Sequence, residues 1–266
     1  MEKLRQDLAE IKTRTSTKVE PTYPMICTVM RVKNEERYIH RAISSLLPLH
    51  GEIIVLDDGS TDNTPDIVRS FDGVRYIRQD DLPMDEGRDR SLLLHKALEL
   101  EPGWVFTLDG DEELPTRTCE QMTKAMVEAP LDVTVFRLHF VVMWGEDEYL
   151  VQNKFIWPQD RMFRVSALED RGYTFYSQFS RNLHCGCVPK HGVKPYNRQI
   201  LNAFIKYWGY ESMPACHQKL DFYKEHDPAI FENTFNLVMA RNRAPKNPWM
   251  DNLDCREIGI VGAVTY

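Results

Sequence analysis

The stretch Trp104–Leu114, WVFTLDGDEEL, is an apolar run that ends in four acidic residues within five positions. The run reads as a buried strand. Side chains two apart on a strand share a face, so the spacing predicts that Asp109 and Asp111 present two carboxylates together. Gly110 lies between them and removes a side chain that would crowd an approaching ligand. Such a pair suits a hard divalent cation, magnesium or manganese, which takes oxygen ligands from one or two carboxylates, water and a substrate diphosphate. A solvated, acidic strand end has the same letters, so the flanking chain decides between the two.

Upstream of this stretch, apolar runs and amphipathic runs alternate. Met25–Val32, MICTVMRV, is β-rich, and KNEERYIHRAISSLLPL follows it with Tyr38, Ile39, Ala42, Ile43, Leu46 and Leu47 at helical spacing. Glu52–Leu56 is a second buried strand ending in DDGSTDNT, after which Ile67, Val68 and Phe71 carry another helical face. GVRYIRQ is a third strand, and Ser91–Leu100 a helix that leads into Trp104–Leu108. This order predicts an α/β fold with a mostly parallel sheet and helices on both faces. Ligands of such sheets gather at the carboxyl ends of the strands, so KNEE, DDGSTD and LDGDEEL share one rim.

The bulk properties set limits. At 266 residues, 42% apolar and 27% charged, the chain can bury one large core, with or without an appendage. A net charge of -7 and a pI near 5.7 disfavour a nonspecific grip on nucleic acid, so a nucleic-acid acceptor is unfavoured. No apolar run is long enough to span a membrane, and MEKLRQDLAEIKT has no apolar leader core; the expected location is cytoplasmic, with peripheral membrane attachment as the other option. Leu4, Leu8 and Ile11 suggest a short amphipathic helix over residues 2–12, and 13–24 a polar linker. Cys27, Cys119, Cys185, Cys187, Cys216 and Cys255 form no paired CxxC pattern, and free thiols are expected.

Taken together, VKNEE, LDDGSTDNT, DEGRDRS and LDGDEEL, in this order and spacing over residues 25–115, resemble the glycosyltransferases of family 2, with a GT-A nucleotide-sugar-binding fold. The resemblance implies a nucleotide-sugar-binding half over 25–130 and an acceptor-side half with C-terminal helices over 131–266. It implies that Asp57 binds the nucleotide base, that Glu35 lies near the ribose, and that Arg31 belongs with the donor-binding residues. Arg88 takes the diphosphate, with Arg90 as its competitor. Asp109 and Gly110 contact the donor, and Asp109 and Asp111 hold Mn2+ or Mg2+. The donor it favours is a UDP-sugar. Ser60, Thr61 and Asp62 read more simply as turn and capping residues.

The acceptor half resembles, through WPQDRMFR, a bacterial subgroup that glycosylates lipopolysaccharide cores and peptides. There Arg161 and Arg164 read equally as ligand contacts or as structural residues. His184 resembles a third metal ligand, and Cys185 stands where that subgroup carries a glutamate. A zinc site built on Cys185 and Cys187 with His184 and His191 is disfavoured by its spacing. Tyr207 replaces another histidine, and Lys219, with Lys206 as rival, is a candidate phosphate contact. For the base that takes the acceptor's proton, Asp160 comes first and His184 second, followed by Glu169 and Asp170. The resulting expectation is a metal-dependent, inverting sugar transfer from a nucleoside-diphosphate sugar to a glycan, lipid-linked glycan, peptide or other acceptor. The alternative is a catalytically silent nucleotide-sugar binder or scaffold, motivated by Cys185 and Tyr207. Nucleotidyl transfer is weakened because no glycine-rich, lysine-bearing loop follows the first strand.

Overall fold

The computed structural model describes residues 25–80, 82–146, 148–150, 156–168, 185–189, 193–226 and 243–245. The expected N-terminal helix and linker, His184, His191, Glu169, Asp170, Cys255 and the segments after 226 other than 243–245 lie outside the described residues. In chain order the elements are β1 (Ile26–Val32), α1 (Ile39–Leu46), β2 (Glu52–Asp57), α2 (Thr64–Arg69), β3 (Val74–Arg78), α3 (Glu86–Leu98) and β4 (Trp104–Thr107). They continue with β5 (Glu112–Glu113), α4 (Thr116–Glu128), β6 (Val135–Trp144), β7 (Glu148–Leu150), β8 (Ile156–Arg164), β9 (Arg198–Tyr207), α5 (Met213–His226) and β10 (Arg243–Pro245).

Strands β3, β2, β1 and β4 lie side by side and parallel. The sheet then turns mixed, with β8 antiparallel to β4 and to β6, and β9 parallel to β6. Short β5 pairs antiparallel with β9. One sheet therefore crosses the expected boundary at residue 130.

Alternation along each strand divides the core between the two sheet faces. Ile26, Met30, Ile53, Val55, Trp104 and Phe106 fall in one cluster, where Ile39, Ala42, Ile43 and Leu46 of α1 cover them. Cys27, Val29, Ile54, Leu56 and Val105 fall in the other, beneath Leu93, Leu94 and Ala97 of α3. Strands buried on both faces read as unbroken apolar runs, which is why β1, β2 and β4 stand out in the sequence.

Two elements differ from the expectation. Helix α3 starts at Glu86, ahead of Ser91, because Asp85 caps it by accepting a hydrogen bond from the Arg88 backbone N–H at 2.9 Å. Strand β4 stops at Thr107, so Asp109 and Asp111 do not share a strand. They occupy a turn closed by Glu112 N–H donating to the Asp109 carbonyl at 3.2 Å, after which β5 begins.

Trp104 is fully buried at the centre of the sheet, stacked on Phe136 with ring centroids 5.0 Å apart and with the Arg164 guanidinium 4.4 Å from its ring centroid. Arg164 also donates to the Val133, Ala129 and Pro130 carbonyls and is structural. Trp104→Ala is expected to cost about 3–5 kcal/mol in urea unfolding, the range for emptying a buried aromatic site. A loss below about 1 kcal/mol would show that the two halves of the sheet do not depend on this contact.

Candidate active site

The loops that follow β1 and β2 are laced together residue by residue. Asn34 N–H donates to Ser60 Oγ (2.9 Å), Glu35 N–H to Thr64 Oγ1 (2.7 Å) and Glu36 N–H to Asp62 Oδ2 (3.0 Å), while Thr61 N–H donates back to Asn34 Oδ1 (2.8 Å). Asn34 takes a left-handed φ of 55°, a conformation asparagine tolerates better than most residues. The small polar side chains of DGSTDNT thus satisfy backbone donors at the rim.

Asp57, at the end of β2, is completely buried. Its Oδ1 accepts from Ser60 N–H (2.7 Å), and its Oδ2 from Tyr76 O–H (2.6 Å) and Arg78 Nη1 (3.2 Å). Beside it, Arg31 joins Asp58 (2.6 Å) to Asp89 (2.7 Å). Burial would raise the Asp89 carboxyl, but hydrogen bonds from Arg31, Gln79 and Arg88 hold it below its usual range. Arg88 is spent on Asp89 and on the Pro83 carbonyl (3.0 Å). The arginine turned to the acidic turn is Arg90, the competitor of Arg88.

The acidic turn meets cations from several elements. Arg90 Nη2 lies 3.2 Å from Asp109 Oδ1 and 3.1 Å from Glu86 Oε1. Arg161 makes a two-pronged pair with Glu112 at 3.0 and 2.6 Å and stands 3.7 Å from Asp109 Oδ2. Burial would raise the Asp109 carboxyl, and Arg90 and Arg161 hold it below its usual range. Lys219, from α5, places Nζ 2.8 Å from Asp111 Oδ2. Glu113 is held by Trp208 Nε1 (2.9 Å) and Lys206 Nζ (3.4 Å).

These groups meet in a cleft of about 800 Å3 that includes Arg31, Glu35, Arg90, Asp109, Asp111 and Lys219 among its walls. Gly110 also lines it, but its lack of a side chain has a packing cause: a Cβ there would sit 2.8 Å from Glu35 Cγ and 3.1 Å from Val32 Cγ1. Asp57 and Arg88 lie outside the lining. So does Asp160, since neighbouring residues of a strand point to opposite faces and Arg161 takes the face toward Glu112. Asp160 instead pairs with Arg137 (2.8 Å) and Arg198 (3.2 Å) and accepts from Tyr196 O–H (2.8 Å). With two arginines and a tyrosine on its carboxylate, Asp160 stands outside the cleft lining.

Cys185 is no substitute for a glutamate. Burial pushes its thiol up to about 12, and its backbone N–H serves Glu86 Oε2 at 2.9 Å. Tyr207 does line the cleft, with its ring stacked at a tilt on Phe140 (4.9 Å) and 5.8 Å from Lys219 Nζ. Glu86, one of the carboxylates open to pairing with Arg88 or Arg90, pairs with Arg90 at i,i+4 spacing on the helix.

Among the described residues no three His, Cys, Asp or Glu side chains gather into a protein-only metal cage. The donor set fits a cation held partly by substrate. Among the described residues, the buried Asp111 Oδ2 takes no hydrogen bond and meets Lys219 in an ion contact, and the Asp109 side chain is 35% exposed.

A parallel α/β sheet with an acidic turn and arginines at its carboxyl rim puts the cleft where open α/β folds bind their ligands. The family model described as Glycosyl transferase family 2 matches residues 27–192, and the chain belongs to that family. An uncharacterized glycosyltransferase of Rickettsia typhi is 23% identical over 202 residues, covering 74% of this chain and 65% of the relative. The putative teichuronic acid biosynthesis glycosyltransferase TuaG of Bacillus subtilis is 28% identical over 109 residues, 40% of this chain and 43% of TuaG. The chain thus spans less than two thirds of the length of either relative. Residues 1–349 of S. aureus TarS superimpose with a TM-score of 0.51 at 16% identity, over 80% of this chain and 69% of that one, which shows a shared fold.

Glu35 supplies a test of the cleft's electrostatics. Burial, joined by the Asp111 carboxylate, pushes its carboxyl up to about 8 from 4.5, against the pull of Lys219. A folded-state value above the unfolded one contributes stability that is full below pH 4.5 and is lost as pH rises through 8. Urea unfolding in chelator across this window should therefore show wild type losing stability with pH relative to Glu35→Gln. Parallel curves for the two proteins would contradict the burial assigned to Glu35.

Proposed function

We propose that the cleft binds a nucleoside-diphosphate sugar, UDP-linked by preference, with Mn2+ or Mg2+, and transfers the sugar with inversion to an acceptor hydroxyl. The observation that carries this reading is the convergence of Asp109 and Asp111 with Arg31, Arg90 and Lys219 in one cleft at the carboxyl rim. Carboxylates for a cation and fixed positive charges for phosphates are the two requirements of a diphosphate leaving group. A uridine donor is favoured because TarS, which shares the fold, has been solved with UDP and with UDP-GlcNAc.

Asp109 and Asp111 would hold the cation, which when bound supplies positive charge against the departing diphosphate. Arg90 is held by Glu86 at 3.1 Å and by Asp109 at 3.2 Å, so its charge stands fixed beside the acidic turn when a diphosphate arrives. Glu35 packs on Gly110 and shapes the wall beside the two aspartates. The acceptor's proton goes to a carboxylate or imidazole of the cleft wall, where Glu35, Glu86 and His226 stand. The acceptor is a glycan, lipid-linked glycan or peptide, in keeping with the resemblance of WPQDRMFR. No helix among the described residues is long and apolar enough to cross a membrane.

Asp109→Ala and Asp111→Ala are each expected to lower divalent-dependent nucleotide release from UDP-sugars by about a hundredfold or more, the scale of several kcal/mol of charge stabilisation. Full activity of either variant in chelator would overturn the metal-dependent reading. Wild type that binds UDP-sugar without ever releasing nucleotide would identify the silent binder instead.

A further inference from the structure

We propose that Lys219 is a resident cation that occupies the Asp111 carboxylate in the donor-free protein, and that a divalent ion must displace it before the donor binds. This inference rests on the reading that Asp109 and Asp111 hold the cation. Its physical basis is that Glu35 packs on Gly110, between Asp109 and Asp111, and that Asp111 is almost wholly buried. Asp109 is neutralised by Arg90 and Arg161, which are themselves fixed by Glu86 and Glu112. Among the described residues, the cation paired with Asp111 is Lys219, at 2.8 Å.

The two kinds of cation differ in their freedom to move. Arg90 and Arg161 are buried and held by second carboxylates, so they stay in place when a metal ion arrives. Lys219 sits at the end of a flexible four-carbon stem on α5, with 28% of its side chain exposed and Tyr207 and Tyr223 beside it. An ammonium and a divalent ion cannot share Asp111 Oδ2 at contact distance, because like charges that close repel strongly in a low-dielectric cleft. The displaced ammonium remains within the same cleft and becomes a partner for a phosphate oxygen of the donor. Lys219 therefore weakens the binding of metal alone and strengthens the binding of nucleotide in the presence of metal. It acts as a positioning residue that makes the two ligands bind together.

Opposite signs on the two ligands distinguish this from a structural role. With the full-length chain, Mn2+ alone is titrated by the electron paramagnetic resonance of the free ion, and UDP is then titrated at saturating Mn2+. Lys219→Met is expected to bind Mn2+ about tenfold more tightly than wild type and UDP about tenfold more weakly, within the usual range of coupling between sites. Lys219→Arg, which keeps the charge, stays close to wild type in the Mn2+ titration, and Lys219→Gln replaces the methionine variant where the latter does not fold. Unchanged or weaker Mn2+ binding in the neutral variant overturns the inference while Asp111→Asn still abolishes Mn2+ binding. Wild-type Mn2+ binding by Asp111→Asn overturns the cation reading itself, and the inference with it.

Discussion

Neutralising the acidic turn after β4 is the constraint on which the arrangement of the site depends. Four acidic residues in five positions enter a partly buried rim, and each meets a basic residue carried by a different element. Arg90 comes from α3, Arg161 from β8, Lys206 from β9 and Lys219 from α5. An uncompensated carboxylate in such a place costs several kcal/mol. Besides the sheet pairing of β4 with β8, these ion pairs tie elements of the second half to the rim of the first.

The same pairing explains why the cleft suits a charged ligand. Glu112 and Glu113 are used internally, by Arg161 and by Lys206 with Trp208, so their contribution is to hold the frame. Asp109 and Asp111 keep an oxygen toward the cavity, and Arg31 and Arg90 keep a guanidinium there. Division of one short acidic run into two frame residues and two ligand residues follows from where β4 ends and β5 begins.

Much of the donor half was legible in the sequence, and the reasons are local. Strands β1, β2 and β4 are apolar runs ended by polar clusters, and parallel topology brings those ends to one rim, where Glu35, Asp109 and Asp111 line the cleft. What was not legible depends on direction and register. Arg88 and Arg90 are two apart on a helix, and only the orientation of α3, set by the Asp85 cap and the packing of Leu93 and Leu94, turns Arg90 to the turn and Arg88 away. Asp160 and Arg161 are neighbours on β8, and pairing with β4 and β6 decides which of them faces Glu112. Lys219 meets Asp111 across more than a hundred residues of chain, a contact that no periodicity encodes.

The central claim is that this rim is a nucleotide-diphosphate site completed by a divalent cation, and a ligand that binds only the folded state must raise its melting temperature. Melting the full-length protein with UDP, UDP-sugars and the corresponding guanosine and cytidine diphosphates, with and without Mn2+, measures that directly. The account predicts stabilisation by uridine diphosphates that requires Mn2+ and exceeds that by the other nucleotides. Absence of any nucleotide-dependent shift, with or without Mn2+, would contradict it.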